Sequence, residues 1–134
     1  MKVIVDTDVW IEAFKKGGDG GCDYVRELRE LVEDDRVQMV GQVRMEILCG
    51  VQDQKQFNKL KAAIAAFPDR PLDHEVYELA ANMFNHCRLK GDPGPMSDFI
   101  ICASSMLWKM PILTMDEDYQ AYRKHLPIEL HQPR

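Results

Sequence analysis

Four acidic residues, Asp6, Glu46, Asp98 and Asp116, stand where separate predicted elements meet loops. Asp6 closes the run Lys2-Val3-Ile4-Val5, and Asp116 follows Pro111-Ile112-Leu113-Thr114-Met115. Glu46 and Asp98 each lie near the front of a helical pattern. If the two strands are parallel neighbours, Asp6 and Asp116 project into one crevice, because open α/β sheets carry their sites outside the C-terminal strand ends. The helix-borne acids can reach the same crevice. Four crowded carboxylates repel, so such a cluster persists only if a divalent cation neutralises it or protons are taken up. The chemistry this points to is metal-dependent phosphoryl transfer.

Each acid alone has a plainer reading. Asp6 and Asp8 both suit a turn or helix cap, Asp8 the more naturally, since a helix is expected to begin right after it. Glu46, two residues from Arg44, fits a solvated helix surface. Asp98 follows Pro95 by three residues, where a helix N-terminus favours an anion. Asp118 is a possible helper to Asp116. The pair Asp6-x-Asp8 also resembles the nucleophile motif of haloacid-dehalogenase-type phosphatases, which keeps open a phosphatase with Asp6 as nucleophile. The joint placement of the four acids carries more weight than any one of them.

The elements that must position these acids alternate between strand and helix. Strands are expected at Lys2–Asp6, Val37–Val40 and Ile112–Met115, with short further ones at Arg70–Asp73 and Ile128–His131. Helices are expected from near Asp8, over Cys22–Asp35, Gln42–Val51, Gln54–Phe67, Asp73–Lys90, Met96–Lys109 and Glu117–His125. Their apolar residues recur at helical spacing, as in Val25, Leu28, Leu31 and Val32. Pro95 suits the first helical position after the Gly91-Asp92-Pro93-Gly94 turn. The alternation predicts an α/β fold with a mostly parallel central sheet.

Bulk properties agree with one ordinary domain over residues 1–134. The chain is 46% hydrophobic and 29% charged, which is globular rather than disordered. No apolar run reaches the roughly 18 residues of a membrane span, so no membrane association is expected. The start Met1-Lys2-Val3-Ile4-Val5-Asp6 turns acidic too soon for a signal peptide, which places the protein in the cytoplasm. Cys22, Cys49, Cys87 and Cys102 are widely spread without zinc-ligand spacing, and read as buried thiols in a reducing compartment. A net charge of −5 argues against nucleic-acid binding through bulk charge. Most of that charge belongs to the four proposed site acids, so a phosphodiester held through metal ions is still compatible.

At this point the residues resemble a family. The pieces Val3-Ile4-Val5-Asp6-Thr7-Asp8-Val9-Trp10, Glu46-Ile47-Leu48-Cys49-Gly50, Asp98-Phe99-Ile100-Ile101-Cys102-Ala103 and Ile112-Leu113-Thr114-Met115-Asp116-Glu117-Asp118-Tyr119 occur in the order and spacing of PIN-domain ribonucleases. The chain is most similar to the VapC-type toxins of toxin–antitoxin pairs, over essentially its whole length. The resemblance implies a PIN-like three-layer α/β/α sandwich and a cleft in which Asp6, Glu46, Asp98 and Asp116 bind Mg²⁺ or Mn²⁺. It places Thr114 beside that cleft as a small polar residue. It also implies endonucleolytic cleavage of RNA, a cognate antitoxin, and a homodimer built from helices such as Gln54–Phe67. Two positions depart from the pattern: Gly41-Gln42 replaces a Ser/Thr-rich approach to the second acid, and Cys102 stands at a usual alanine. RNA would need steering by cations around the acidic floor, for which Lys15, Lys16, Arg44, Arg88 and Lys90 are candidates. A catalytically silent PIN module that only binds a partner is the remaining alternative.

Overall fold

A computed structural model describes residues 1–15 and 22–134. Strand β1 (Val3–Val5) lies between β2 (Val37–Gln38) and β3 (Ile112–Leu113), giving the order β2-β1-β3 with both pairings parallel. Around it are α1 (Thr7–Phe14), α2 (Asp23–Glu33), α3 (Gly41–Leu48), α4 (Gln54–Ile64), α5 (His74–Leu89), α6 (Met96–Trp108) and α7 (Asp118–Arg123).

Why this sheet forms is legible in β1. Val3, Ile4 and Val5 are β-branched and suit a pleated backbone. Successive strand side chains point to opposite faces, yet all three are at most 1% exposed. Both faces of the sheet are therefore covered, as a sheet layered between helices requires. Ile4 pairs with Ile112 and Val5 with Leu113, and the Asp6 N–H donates to the Leu113 carbonyl at 2.9 Å. This register brings the C-terminal ends of β1 and β3 to one edge, so Asp6 and Thr114 leave the sheet side by side.

Two expected strands shrink to single bridges. Arg70–Asp73 is not a strand; the contact falls just before it, where Asp69 pairs with Met39. Over Ile128–His131 only Leu130 bridges to Ile112, held by Ile112 N–H to the Glu129 carbonyl at 2.9 Å and His131 N–H to the Ile112 carbonyl at 2.7 Å. The strong helices behave as their periodicity dictates. Asp73 caps α5 by accepting from the Glu75 and Val76 N–H groups, and α6 is stopped by Lys109 in the left-handed region. Helices α5 and α6 form the most extensive helix–helix contact. Among the described residues, no helix is long and apolar enough to cross a membrane. Cys87 and Cys102 are core residues as expected, whereas Cys49 is exposed and Cys22 only half-buried.

Candidate active site

Asp6 is the N-cap of α1 and also the most enclosed of the site acids, 7% exposed. Asp8, the more natural cap by sequence, sits instead in the first turn of α1, where its carboxylate accepts from the Met115 N–H at 3.1 Å. Each Asp6 oxygen has one donor: Oδ1 accepts from the Thr7 N–H at 2.9 Å and Oδ2 from the Thr114 hydroxyl at 2.8 Å. Burial, then the charge of Asp8, push its carboxyl up to about 7, against the two hydrogen bonds and with a smaller push from Asp98. Asp8 is also raised, again chiefly by burial.

Two threonines connect the acids. The Thr7 hydroxyl donates to Glu46 Oε1 at 2.9 Å, so one residue whose N–H meets Asp6 also holds the carboxylate borne by α3. The Thr114 hydroxyl donates to Asp6 and accepts from the Asp116 N–H at 3.0 Å. Asp116 Oδ1 in turn accepts from the Asp118 N–H at 2.9 Å, so Asp118 supports Asp116 through its backbone. Thr7 was not singled out by sequence reasoning; the available signal was a hydroxyl residue directly after an acid at a strand end.

Asp98 enters from the first turn of α6 and is held by Tyr122 of α7, whose hydroxyl donates to Oδ2 at 2.7 Å. Burial raises the Asp98 carboxyl to about 6; the Tyr122 hydrogen bond opposes this, and the charges of Asp116, Asp118 and Glu46 add to it. Tyr122 is 1% exposed, with its ring against Phe99 and Tyr119. Gly94 explains how it gets there. A Cβ built on Gly94 would overlap the Tyr122 hydroxyl, so only glycine lets the phenol pass to Asp98.

These contacts define what could be held. The donors are all oxygen, as a hard divalent cation prefers. Among the described residues, no three His, Cys, Asp or Glu side chains are grouped so as to hold one metal ion. Thr7 and Thr114 link Asp6 to Glu46 and Asp116, Tyr122 holds Asp98, and burial first, then neighbouring charge, raises Asp6 and Asp98. That arrangement fits an ion such as Mg²⁺, which keeps several waters and needs only one or two carboxylates. It does not fit a fully dehydrated protein cage.

The expected steering cations fare unevenly. Arg44 donates to Asp69 Oδ1 through Nε and Nη2 at 3.0 and 2.9 Å, and to the carbonyls of Ile64 and Phe67. It ties α3 to the end of α4 and is a structural residue. Lys15 pairs with Glu12 at 3.5 Å, and Lys16 lies outside the described residues. Arg88 and Lys90 are exposed at the end of α5. Trp10 is buried at 3% exposure against Phe14 and Phe67, a core residue rather than a base-stacking platform.

No family model matches the chain. It is 26% identical over 119 residues to a VapC ribonuclease of Mycobacterium bovis, covering 87% of this chain and 88% of that protein. The same figures hold for a ribonuclease named VapC11 from Mycobacterium tuberculosis. Its fold matches FitAcB from Neisseria gonorrhoeae at 18% identity and a TM-score of 0.77, covering 98% of this chain and 97% of that one. It matches VapBC2 from Rickettsia felis, solved with a promoter DNA fragment, at 14% identity and a TM-score of 0.78, covering 98% of both chains. The chain has a VapC-type fold. In that frame the sandwich expected from sequence is the observed one; Asp6, Asp98 and Asp116 lie at the ends described above, whereas Glu46 comes from the last turn of α3 rather than its front.

Proposed function

We propose that this protein is a divalent-metal-dependent endoribonuclease, the toxin of a VapBC-type pair, neutralised by a cognate antitoxin. The observation that carries the reading is the buried Asp6 at the end of β1, linked through Thr7 to Glu46 and through Thr114 to Asp116, with its charge felt alongside that of Asp98. Similarity along most of the chain to proteins named VapC ribonucleases supports the substrate class.

Asp6 and Asp98 are the residues that would hold Mg²⁺ or Mn²⁺, with Asp116 flanking them. When bound, the ion supplies a Lewis acid for a phosphate oxygen and lowers the pKa of water. The protein's own residues do the remaining work. The Thr114 hydroxyl fixes the Asp6 rotamer, and Tyr122 fixes that of Asp98, so neither acid must reorganise when substrate arrives. Glu46, oriented by Thr7, is placed to accept a hydrogen bond from an attacking water and turn its lone pair toward phosphorus.

The deciding experiment uses single-stranded RNA with Mg²⁺ or Mn²⁺ supplied. Wild type is expected to cleave, and to melt at higher temperature with the ion because only the folded state binds it. Asp98→Asn should keep the fold and lose both effects. Cleavage by Asp98→Asn at the wild-type rate would contradict the assignment, and RNA binding without cleavage by wild type would favour the silent-module alternative.

A further inference from the structure

The acids do not stand alone at their edge of the molecule. Thr114 and Asp116 also line a cavity of about 690 Å³ that runs away from Asp6 between α2, α7 and the C-terminal segment. This lies within the range of small-ligand sites. Its other walls include Tyr24 of α2, Lys124 just after α7, and Gln132.

The lining carries both signs of charge, Asp116 and Glu117 against Lys124. Near Asp116 a phosphate can be approached only through a cation. Lys124, the one Lys or Arg in the lining, is exposed and has no ion-pair partner among the described residues. Of the cations expected from sequence, Arg44 is consumed by Asp69 and two carbonyls, and Lys15 by Glu12. Lys124 is thus an available charge sharing a cavity with a site acid.

The walls are also braced. Buried Glu27 of α2 meets His131 Nε2 at 2.7 Å and Arg134 Nε at 2.9 Å, which locks the C-terminal wall to the helix carrying Tyr24. The groove is therefore preformed, and its lining includes the half-buried ring of Tyr24 and the amide side chain of Gln132. Aromatic rings stack bases and amides bond base edges in single-stranded RNA recognition.

We propose that this groove seats the RNA strand adjoining the scissile phosphate, with Lys124 on a neighbouring backbone phosphate and Tyr24 against a base. This rests on the ribonuclease reading above. It identifies a binding subsite adjoining Asp116 in the same cavity, and Lys124 and Tyr24 should act on substrate affinity rather than on the chemical step.

The test measures binding of a short, mixed-sequence, single-stranded RNA to the full chain without added metal, alongside cleavage with Mn²⁺. Lys124→Glu should weaken binding about tenfold, the loss expected of one charge-assisted contact. Lys124→Ala should lower the slope of log affinity against log salt by about 0.7, as for one lost phosphate contact on a single strand. In cleavage, KM should rise with kcat retained. Tyr24→Leu, which keeps apolar packing, should cost about tenfold in binding through lost stacking. Lys55→Glu makes the same charge change on α4, away from the groove lining, and should leave binding as it was. Equal binding by wild type and Lys124→Glu, or an equal loss in Lys55→Glu, overturns the subsite while leaving the nuclease reading intact. A wild-type protein that neither binds nor cleaves RNA overturns both.

Discussion

The Tyr122 hydroxyl donates to Asp98 Oδ2 at 2.7 Å, joining the last helix to an acid 24 residues earlier in the chain. The donor keeps its proton, since burial and then the Asp98 hydrogen bond drive the phenol well above its ordinary range. Tyr122 is therefore a fixed donor that sets how Asp98 faces the cleft. Tyr122→Phe removes only the hydroxyl. We expect roughly a tenfold loss in kcat and a 10- to 100-fold weaker dependence on Mg²⁺ or Mn²⁺, with KM for RNA unchanged. A metal titration of cleavage that superimposes on wild type would refute this positioning role.

Gly94→Ala attacks the same contact from the other side. The added methyl meets the Tyr122 hydroxyl and ring, which are packed among Phe99 and Tyr119 and have nowhere to go. The expected cost is about 1–3 kcal/mol from overpacking, read as a lowered urea midpoint. Activity should fall with it, because displacing Tyr122 releases Asp98.

Asp6 gives the protein a pH dependence in the absence of metal. Its carboxyl ionises near 4 in the unfolded chain but only at about 7 in the fold. Between those values the folded state binds more protons, so stability falls as pH rises from about 4 to about 7. Asp6→Asn should remove most of this slope and stabilise the chelator-treated protein at pH 8, by a few kcal/mol on the order given by a shift of this size. Urea unfolding at pH 5 and pH 8 with EDTA measures it; parallel behaviour of the two proteins would show that Asp6 is not the frustrated group.

Glu27 responds in the opposite sense. Burial pushes its carboxyl up, but hydrogen bonds from His131 and Arg134 outweigh this and hold it below the ordinary range. Its contribution is present above the unfolded value and is lost as pH falls through the folded one. Glu27→Ala should cost about 1–3 kcal/mol by leaving its partners without their acceptor. Faster amide exchange over residues 128–134 would locate the loss in the C-terminal segment.

Arg44→Ala separates structure from substrate steering. With its bonds to Asp69, Ile64 and Phe67 removed, the melting temperature should fall. KM for RNA should not change. A raised KM at unchanged stability would restore the steering role read from sequence.

What sequence could show depended on range. Local signals such as the β-branched Val3-Ile4-Val5 run, the Asp73 cap and the α5 and α6 stripes set the elements correctly. Asp6, Asp98 and Asp116 were nameable because each stands at or beside an element end; Glu46, expected near the front of its helix, lies in the last turn of α3. What pairs with each acid was not. Thr7 to Glu46 and Tyr122 to Asp98 are contacts between helices, and no periodicity encodes them. The partner of Arg44 was not nameable either, because Asp69 lies 25 residues on. Lys124 was passed over because a lone lysine after a short helix has no signature until the cavity beside it is known.

The pairing of β1 with β3 has a consequence for synthesis. Asp6 and Thr114 are 108 positions apart, so the pocket closes only once the chain has left the ribosome as far as Thr114. A chain still being translated carries Asp6 at the end of a strand that lacks one of its two neighbours. Until then Asp6 is without its Thr114 donor, and a fragment ending before β3 should lack the braced pocket.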